Sequence, residues 1–287
     1  MRQLLELVKF EHTVFALPFA LIAFDLAWRL PHPQRPITAA LLWIVTAMAA
    51  ARTGAMAFNR LADSRLDARN PRTAGRHLPA GILTAPQVWL LFTLAVAMFE
   101  GAAWQLNWLC LELSPIAWIL LLGYSYSKRF TWLCHFWLGA AIGLAPSAVW
   151  IAVTGSVALT PLLLSATVML WIGGFDILYS LQDLEHDRNA PVYSLPKQFG
   201  PARALAVSRT MHAMMVLLLV WLGWAAHLHL IYAVGVVVTA GLVFYEQLLV
   251  KADDFSRLNL AFFTLNGWVS VCLLVFVWLD TLVKLPR

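Results

Sequence analysis

The chain has 287 residues, of which 61% are hydrophobic and only 12% charged, and its mean hydropathy is +0.74. A soluble domain carries about 25% charged and 45–50% apolar residues, so a soluble fold is excluded. The net charge of +5 gives no reason to invoke nucleic acid, because the cations sort by position between long apolar blocks.

Those blocks predict nine membrane spans, at 13–30, 37–58, 86–105, 107–126, 132–153, 160–181, 205–226, 229–249 and 260–282. Each is close to the roughly 17–25 residues that a helix needs to cross a bilayer. Glu6, Lys9 and Glu11 precede the first span and no small-residue cleavage site follows it, so it reads as a retained helix and not as a signal peptide. Little more than Asn107 separates the third and fourth spans, which predicts a tight helical hairpin. If the N-terminus is cytoplasmic, the inner side carries fifteen of the twenty cations and the outer side only Arg29, Arg35, Lys284 and Arg287, with Arg52 inside a span. Cytoplasmic loops are enriched in Lys and Arg, so an N-in, C-out protein is expected, in a bacterial inner membrane. Cys110, Cys134 and Cys272 show no metal-ligand spacing and read as packing residues.

The second span runs into the ionic stretch "FNRLADSRLDARNPRTAGRHLP" (58–79), and the sixth runs into a related one. Asp63 and Asp183 are 120 residues apart, as are Asp67 and Asp187, and Pro71 and Pro191. Each stretch then reaches a Leu-Pro (Leu78-Pro79, Leu195-Pro196) and a glycine (Gly81, Gly200). This implies a duplicated four-helix unit, approximately 1–126 and 127–250, with a ninth helix appended, all in one domain spanning 1–287. Repeated halves in membrane proteins place functional sites at their interface, so the two acidic stretches should face one another across a central cavity.

Asn59, Asp63 and Asp67 are spaced i, i+4, i+8 and would share one face of a helix that continues past the membrane surface. Asp183 and Asp187 repeat that spacing, with Asp176 and Tyr179 one to two turns earlier. Four carboxylates brought together in a partly dry site are costly without counter-charge. Magnesium suits such a site, since it takes a few carboxylates together with phosphate oxygens and retained water. Arg72, Arg76, Lys128 and Arg129 lie near the expected cavity mouth, and guanidinium groups clamp phosphate bidentately. Arg52, seven residues before Asn59, lies nearly on the same helical face, and an intramembrane arginine is by default functional or paired. Asp176 has the same default. Asp25, Glu100, Glu112, Glu246 and Asp280 also lie in or near spans, and their pattern points to no role. Paired acids, metal, phosphate clamps and a greasy cavity together describe a site for a lipid diphosphate. Ionising an allylic diphosphate needs its leaving group neutralised, and the carbocation then needs a dry pocket and a nearby nucleophile. That chemistry is prenyl transfer.

At these residues the sequence resembles the UbiA superfamily of intramembrane aromatic prenyltransferases. The first signature of that family, N-x-x-x-D-x-x-x-D-x-x-N-P-R-T, reads here as Asn59, Asp63, Asp67 and Asn70-Pro71-Arg72-Thr73. The second, D-x-x-Y-x-x-x-D-x-x-x-D, reads as Asp176, Tyr179, Asp183 and Asp187. "YSYSKRFTWLCHFWLGAAIGLAPS" (124–147) is similar to the central Y-x-K-R-x-T segment and holds Lys128 and Arg129. Ala190-Pro191 stand where a glycine is usual, and His77 where a proline is common.

The resemblance implies an all-α integral membrane protein with nine transmembrane helices around a central cavity, capped on the cytoplasmic side. It implies that Asn59, Asp63, Asp67, Asp183 and Asp187 hold Mg2+ and the diphosphate. Arg72, Lys128 and Arg129 would bind the diphosphate or the acceptor's carboxylate, with Tyr179 also in the substrate-binding set, and Asp176 would orient or deprotonate a phenol. The implied reaction transfers a polyprenyl group from polyprenyl diphosphate to an aromatic acid in quinone biosynthesis. "KFEHTVFALPFALIAF" (9–24) is similar to 4-hydroxybenzoate polyprenyltransferases and to relatives acting on a dihydroxynaphthoate in menaquinone synthesis. Two rival functions fit the pattern less well. A transporter with an acidic ion path would place its acids at the midplane. A CDP-alcohol phosphotransferase would carry a D-G and A-R signature that is absent.

Overall fold

The computed structural model describes residues 13–31, 36–250 and 264–283. Arg2, Lys9, Arg35, Lys251, Arg257, Lys284 and Arg287 of the topology argument, the start of the 9–24 segment and residues 260–263 of the last predicted span lie outside these. The described residues form α1 (Thr13–Trp28), α2 (Ile37–Asp67), α3 (Ala85–Leu106), α4 (Trp108–Ser127), α5 (Cys134–Thr154) and α6 (Leu159–Ser180). After α6 a 3₁₀ turn (Leu181–Asp183) leads into α7 (Leu184–Asn189) and α8 (Leu195–Phe199). The chain continues through α9 (Pro201–Ala225), α10 (Leu230–Leu249) and α11 (Asn266–Val283).

Eight of these helical stretches are long and apolar enough to cross a membrane, against nine predicted spans. The ninth apolar helix, α1, shows 16 residues within the described part of the chain, which starts at its first residue. The boundaries shift most at α2, which runs nine residues beyond its predicted end at 58 because Asn59–Asp67 stays helical as an ionic extension. Proline sets both its limits. Pro36 precedes its first residue, and the helix stops short of Pro71, whose ring disfavours helical backbone before it.

Asn107 breaks α3 from α4 in a single extended residue. Its Oδ1 accepts from the Cys110 amide (2.9 Å), and its Nδ2 donates to the Ile151 carbonyl (2.8 Å), which fixes the hairpin to α5. At the other end of α3, the Gln87 side chain accepts from the Thr84 amide (2.9 Å).

The core is built around α6, which is apolar on all sides and surrounded by α1, α5 and α9. Trp171 is fully buried and packs on Phe19 at 5.1 Å between ring centroids. Between α5 and α6 the backbones nearly touch: a Cβ at Gly139 would lie 2.3 Å from the Met169 carbonyl oxygen, and one at Gly143 would lie 2.7 Å from that of Ser165. Membrane helices associate through such small-residue seams because lipid removes the hydrophobic drive between them. Outside, Leu42, Leu90, Leu94, Leu217 and Val237 face outward, as lipid-exposed side chains do. Trp104 and Trp108 at the α3–α4 hairpin tip and Trp224 near the end of α9 are also exposed at helix ends, where membrane proteins carry their aromatic belts.

Several acids to which the pattern gave no role prove structural. Asp25 is bonded to Arg29 and Thr281, and Asp280 accepts the His229 and Tyr232 amides at the start of α10. Glu100 accepts from Ser114 and Trp118, and Glu112 from Trp108. Glu246 is buried and accepts from Asn266.

Candidate active site

The last three turns of α2 carry Asn59, Asp63 and Asp67 on one face, as their spacing predicts. Asp63 is 1% exposed and Asp67 5%. Both are compensated by cations from elsewhere in the chain. Lys128 Nζ lies 2.5 Å from Asp63 Oδ2, and Arg129 3.4 Å from Asp63 Oδ1. Arg129 also donates to the Ala62 carbonyl and stacks over the Tyr126 ring at 5.0 Å. Asn59 donates to Asp63 Oδ2 at 3.1 Å.

Beyond α2 the chain folds back on itself. Thr73 Oγ1 donates to the Asp67 carbonyl (3.0 Å), and Asn70 Oδ1 accepts from the Arg72 amide (2.9 Å). This turn sends Arg76 back to Asp67 Oδ1 (2.7 Å) and Arg72 across to the second acidic stretch. Arg72 grips Asp183 with a two-armed fork, Nε to Oδ1 at 2.8 Å and a terminal nitrogen to Oδ2 at 2.6 Å, while lying 5.8 Å from the Tyr179 ring. Burial opposes the Arg72 charge, but the hydrogen bonds and charge of Asp183 outweigh it and raise the guanidinium's pKa.

The second stretch differs from the first in one respect. The spacing of Asp183 and Asp187 matches that of Asp63 and Asp67, yet the 3₁₀ turn at Leu181–Asp183 interrupts the helix and α7 starts anew. Tightening the helix re-aims Asp183 toward Arg72. Asp187, on α7, lines the same cavity from the facing side.

That cavity, of about 640 Å³, joins all the predicted residues except Arg129. Its polar end is lined by Asn59, Asp63, Asp67, Arg72, Lys128, Asp176, Tyr179, Asp183 and Asp187, with Asn70, Arg76 and His186. Its other end runs between α2, α4 and α5 past Met48, Ala51, Leu113, Ala117, Leu121 and Ala148, a smooth apolar passage. Arg52 lines it between the two ends. The acids are thus gathered at one end of the helices.

Among the described residues, no three acidic, histidine or cysteine side chains converge into a closed metal cage. The arrangement still fits magnesium. Asp67 Oδ2 is buried without a hydrogen-bond partner among the described residues, one turn from the buried Asp63. A carboxylate oxygen left so is expensive unless a cation meets it, and Mg2+ binds through one or two carboxylates plus substrate phosphates.

The family model for the UbiA prenyltransferase family matches residues 16–268. This chain belongs to the UbiA prenyltransferase family. It is 31% identical over 228 residues to 4-hydroxybenzoate octaprenyltransferase of Tolumonas auensis, covering 79% of each chain. It is 30% identical over 237 residues to the enzyme of the same name from Nitrosococcus oceani, covering 83% of each. A UbiA homolog from Aeropyrum pernix K1 superposes with a TM-score of 0.80 at 30% identity, over 97% of this chain and 99% of that one. A second homolog, from Archaeoglobus fulgidus and solved with GPP and Mg2+, shares the fold at a TM-score of 0.69 and 18% identity, over 97% and 99% of the two chains. The protein is therefore a multi-pass membrane prenyltransferase.

The UbiA signatures account for most of the polar end, Asn70 of the first among them, whereas His135 and His186, which also line it, and Ser125, which bonds Asn59, are not among the predicted residues. Asn70 donates to Asp183 Oδ1 at 3.4 Å. Ser125 accepts from Asn59 at 3.4 Å. His135 is 3% exposed and lies 2.7 Å from Asp176. A signal for His135 was present, since an ionisable residue inside an apolar block of a membrane protein is costly and worth flagging.

Proposed function

We propose that this enzyme catalyses Mg2+-dependent transfer of a polyprenyl group from polyprenyl diphosphate to a phenolic aromatic carboxylate, 4-hydroxybenzoate or a dihydroxynaphthoate, releasing diphosphate in quinone biosynthesis. The observation that carries the reading is the meeting of two acidic stretches, 111 residues apart at Arg72 and Asp183, over one end of an apolar cavity. The names of the relatives favour the hydroxybenzoate, and the likeness of segment 9–24 keeps the naphthoate in play. We further read the fold as two four-helix repeats and a ninth helix around the cavity, in the bacterial inner membrane, with the N-terminus and the active site cytoplasmic.

Asn59, Asp63, Asp67, Asp183 and Asp187 would hold the metal, which when bound supplies charge neutralisation on the departing diphosphate. Arg72, Lys128 and Arg129 would take phosphate oxygens. They are suited to this because each side chain is about a third or more exposed, at 40%, 32% and 35%, and so is free to re-pair from carboxylate to phosphate. The allylic C–O bond breaks with its electron pair leaving on the diphosphate. The apolar passage holds the prenyl chain and keeps water from the cation. A ring carbon of the acceptor then bonds to the allylic carbon and loses its proton. Asp176 would orient or deprotonate the phenol, which raises ring nucleophilicity. Arg52, which lines the same cavity, would hold the acceptor's carboxylate.

The direct test is a product assay on purified protein with a long-chain prenyl diphosphate and the two aromatic acids offered in parallel. One acid should give a prenylated product with magnesium and none with EDTA. Product formed equally in EDTA would sink the metal assignment, and no product from either acid would sink the acceptor assignment. Replacing Arg72 by lysine keeps the charge but loses one arm of the fork. It should lower kcat/KM for the prenyl diphosphate about tenfold, whereas an unchanged value would remove Arg72 from the diphosphate site.

A further inference from the structure

His135 joins three helices at the polar end of the cavity. It sits in the first turn of α5, its Nδ1 lies 2.7 Å from Asp176 Oδ2 on α6, and its Nε2 lies 3.3 Å from the Leu195 amide nitrogen of α8. The Leu195 amide can only donate. Nε2 must therefore present its lone pair, and the ring proton resides on Nδ1, where it donates to Asp176. One backbone amide thus sets the tautomer, and the tautomer makes Nδ1 the donor to Asp176 Oδ2.

The surroundings hold the pair rigidly. Gly139, one turn after His135, touches the α6 backbone at Met169, and a Cβ on Gly173 would lie 3.2 Å from the His135 carbonyl oxygen. Leu195 is 1% exposed and packs with Ile177 and Met211. The imidazole and the residue whose amide orients it are both buried, His135 at 3% exposure. Asp176 keeps 20% exposure and lines the cavity, so with Oδ2 engaged its other oxygen is left for a ligand.

We propose that His135 is a positioning residue for acceptor activation: locked as the Nδ1–H tautomer by the Leu195 amide, it pins Asp176 Oδ2 and leaves Oδ1 to take the phenolic proton of the aromatic acceptor. In this step the phenol O–H bond breaks, its proton passes to Asp176 Oδ1, and its electron pair stays on the phenolate. The inference rests on the reading of the reaction given above and assigns the acceptor's contact at the polar end to residues other than the proposed metal and diphosphate set. It also ties acceptor activation to α8, which supplies the amide that sets the ring.

The test is a double-mutant cycle of His135→Leu and Asp176→Asn with His135→Gln as the conservative variant, assayed with whichever acid the wild type prenylates. A glutamine can still donate to Asp176 and accept from Leu195. Outer-shell partners of site residues typically matter by about 10- to 100-fold, so His135→Leu should lower kcat by that factor while KM for the prenyl diphosphate stays put. His135→Gln should recover most of the loss, and adding His135→Leu to Asp176→Asn should cost nothing more. Full activity in His135→Leu would overturn the proposal. So would additive losses, or equal losses in His135→Leu and His135→Gln, which would mark a merely structural tether for α8. The second readout needs no turnover. In protein carrying ¹⁵N-histidine, the resonances absent from His135→Gln identify this residue among the eight histidines. They should show a protonated Nδ1 and a bare Nε2, and the opposite tautomer would refute the mechanism. A wild type that prenylates neither acid would count against the proposed reaction alone, because the tautomer would still be measurable.

Discussion

Replacing either Asp63 or Asp183 with asparagine should abolish prenyl transfer while leaving the protein folded in the membrane. The expected loss in turnover is about a thousandfold or more, on the order of 4 kcal/mol of transition-state stabilisation. Asparagine keeps the side-chain volume, so packing around the 1%-exposed Asp63 is preserved. Breaking a fully buried ion pair strands a charge and costs roughly 3–5 kcal/mol in stability. Here the partners are not stranded. Lys128 and Arg129 are 32% and 35% exposed and Arg72 40%, so their freed charges can turn to water. For pairs of that exposure the stability loss should be about 1 kcal/mol or less. Activity and folding should therefore separate. The check is single-turnover product formation beside thermal unfolding of the same detergent sample. A variant keeping a tenth of wild-type activity would remove its carboxylate from the metal set, and one that loses its melting transition would show the acid to be structural.

The same two acids show how far the sequence could be read. The spacing of Asn59, Asp63 and Asp67 alone puts them on one face, because a four-residue period on a helix is fixed by geometry. The break at Asn107 was equally legible, since one polar residue between two apolar blocks has to cap both. What could not be read is which cation each acid takes. Arg72 passes over the nearer Asp67 to fork Asp183, 111 residues on, because a turn closed by Asn70 and Thr73 aims it there. That aim depends on backbone direction in a loop, which carries no periodic signal. The 3₁₀ turn at Leu181–Asp183 was hidden for a related reason. The D-x-x-x-D spacing survives a local tightening of the helix, so the pattern looks unbroken while the side chains are re-aimed. His135 stayed out of the expected set because its partners, Asp176 and the Leu195 amide, lie 41 and 60 residues away. The hydropathy of its block describes lipid and core, and says nothing of a polar pair inside it.

The His135–Asp176 pair depends on a contact that contains no functional group. Gly139 and Gly143 let α5 and α6 meet backbone to backbone, and His135 and Asp176 flank that seam. Gly139→Val should therefore destabilise the protein by about 1–3 kcal/mol, the usual cost of overpacking. Its Cβ would fall 2.3 Å from the Met169 carbonyl oxygen and 3.1 Å from its carbon. A flexible neighbour could rotate aside, but main-chain atoms of a buried helix cannot, so the helices have to part. For a chain of this size each kcal/mol lowers the melting temperature by about 2–4 °C, and a fall of several degrees is expected. Gly101→Ala on α3 is the control, because nothing lies within 4 Å of a Cβ there and alanine favours the helix. Parting α5 from α6 also lengthens the 2.7 Å contact between His135 and Asp176. Activity in Gly139→Val should then fall further than the folded fraction does, at a temperature where the variant is still native. Equal melting in Gly139→Val and Gly101→Ala would mean the seam has slack, and the rigidity ascribed to the pair beside it would go with it.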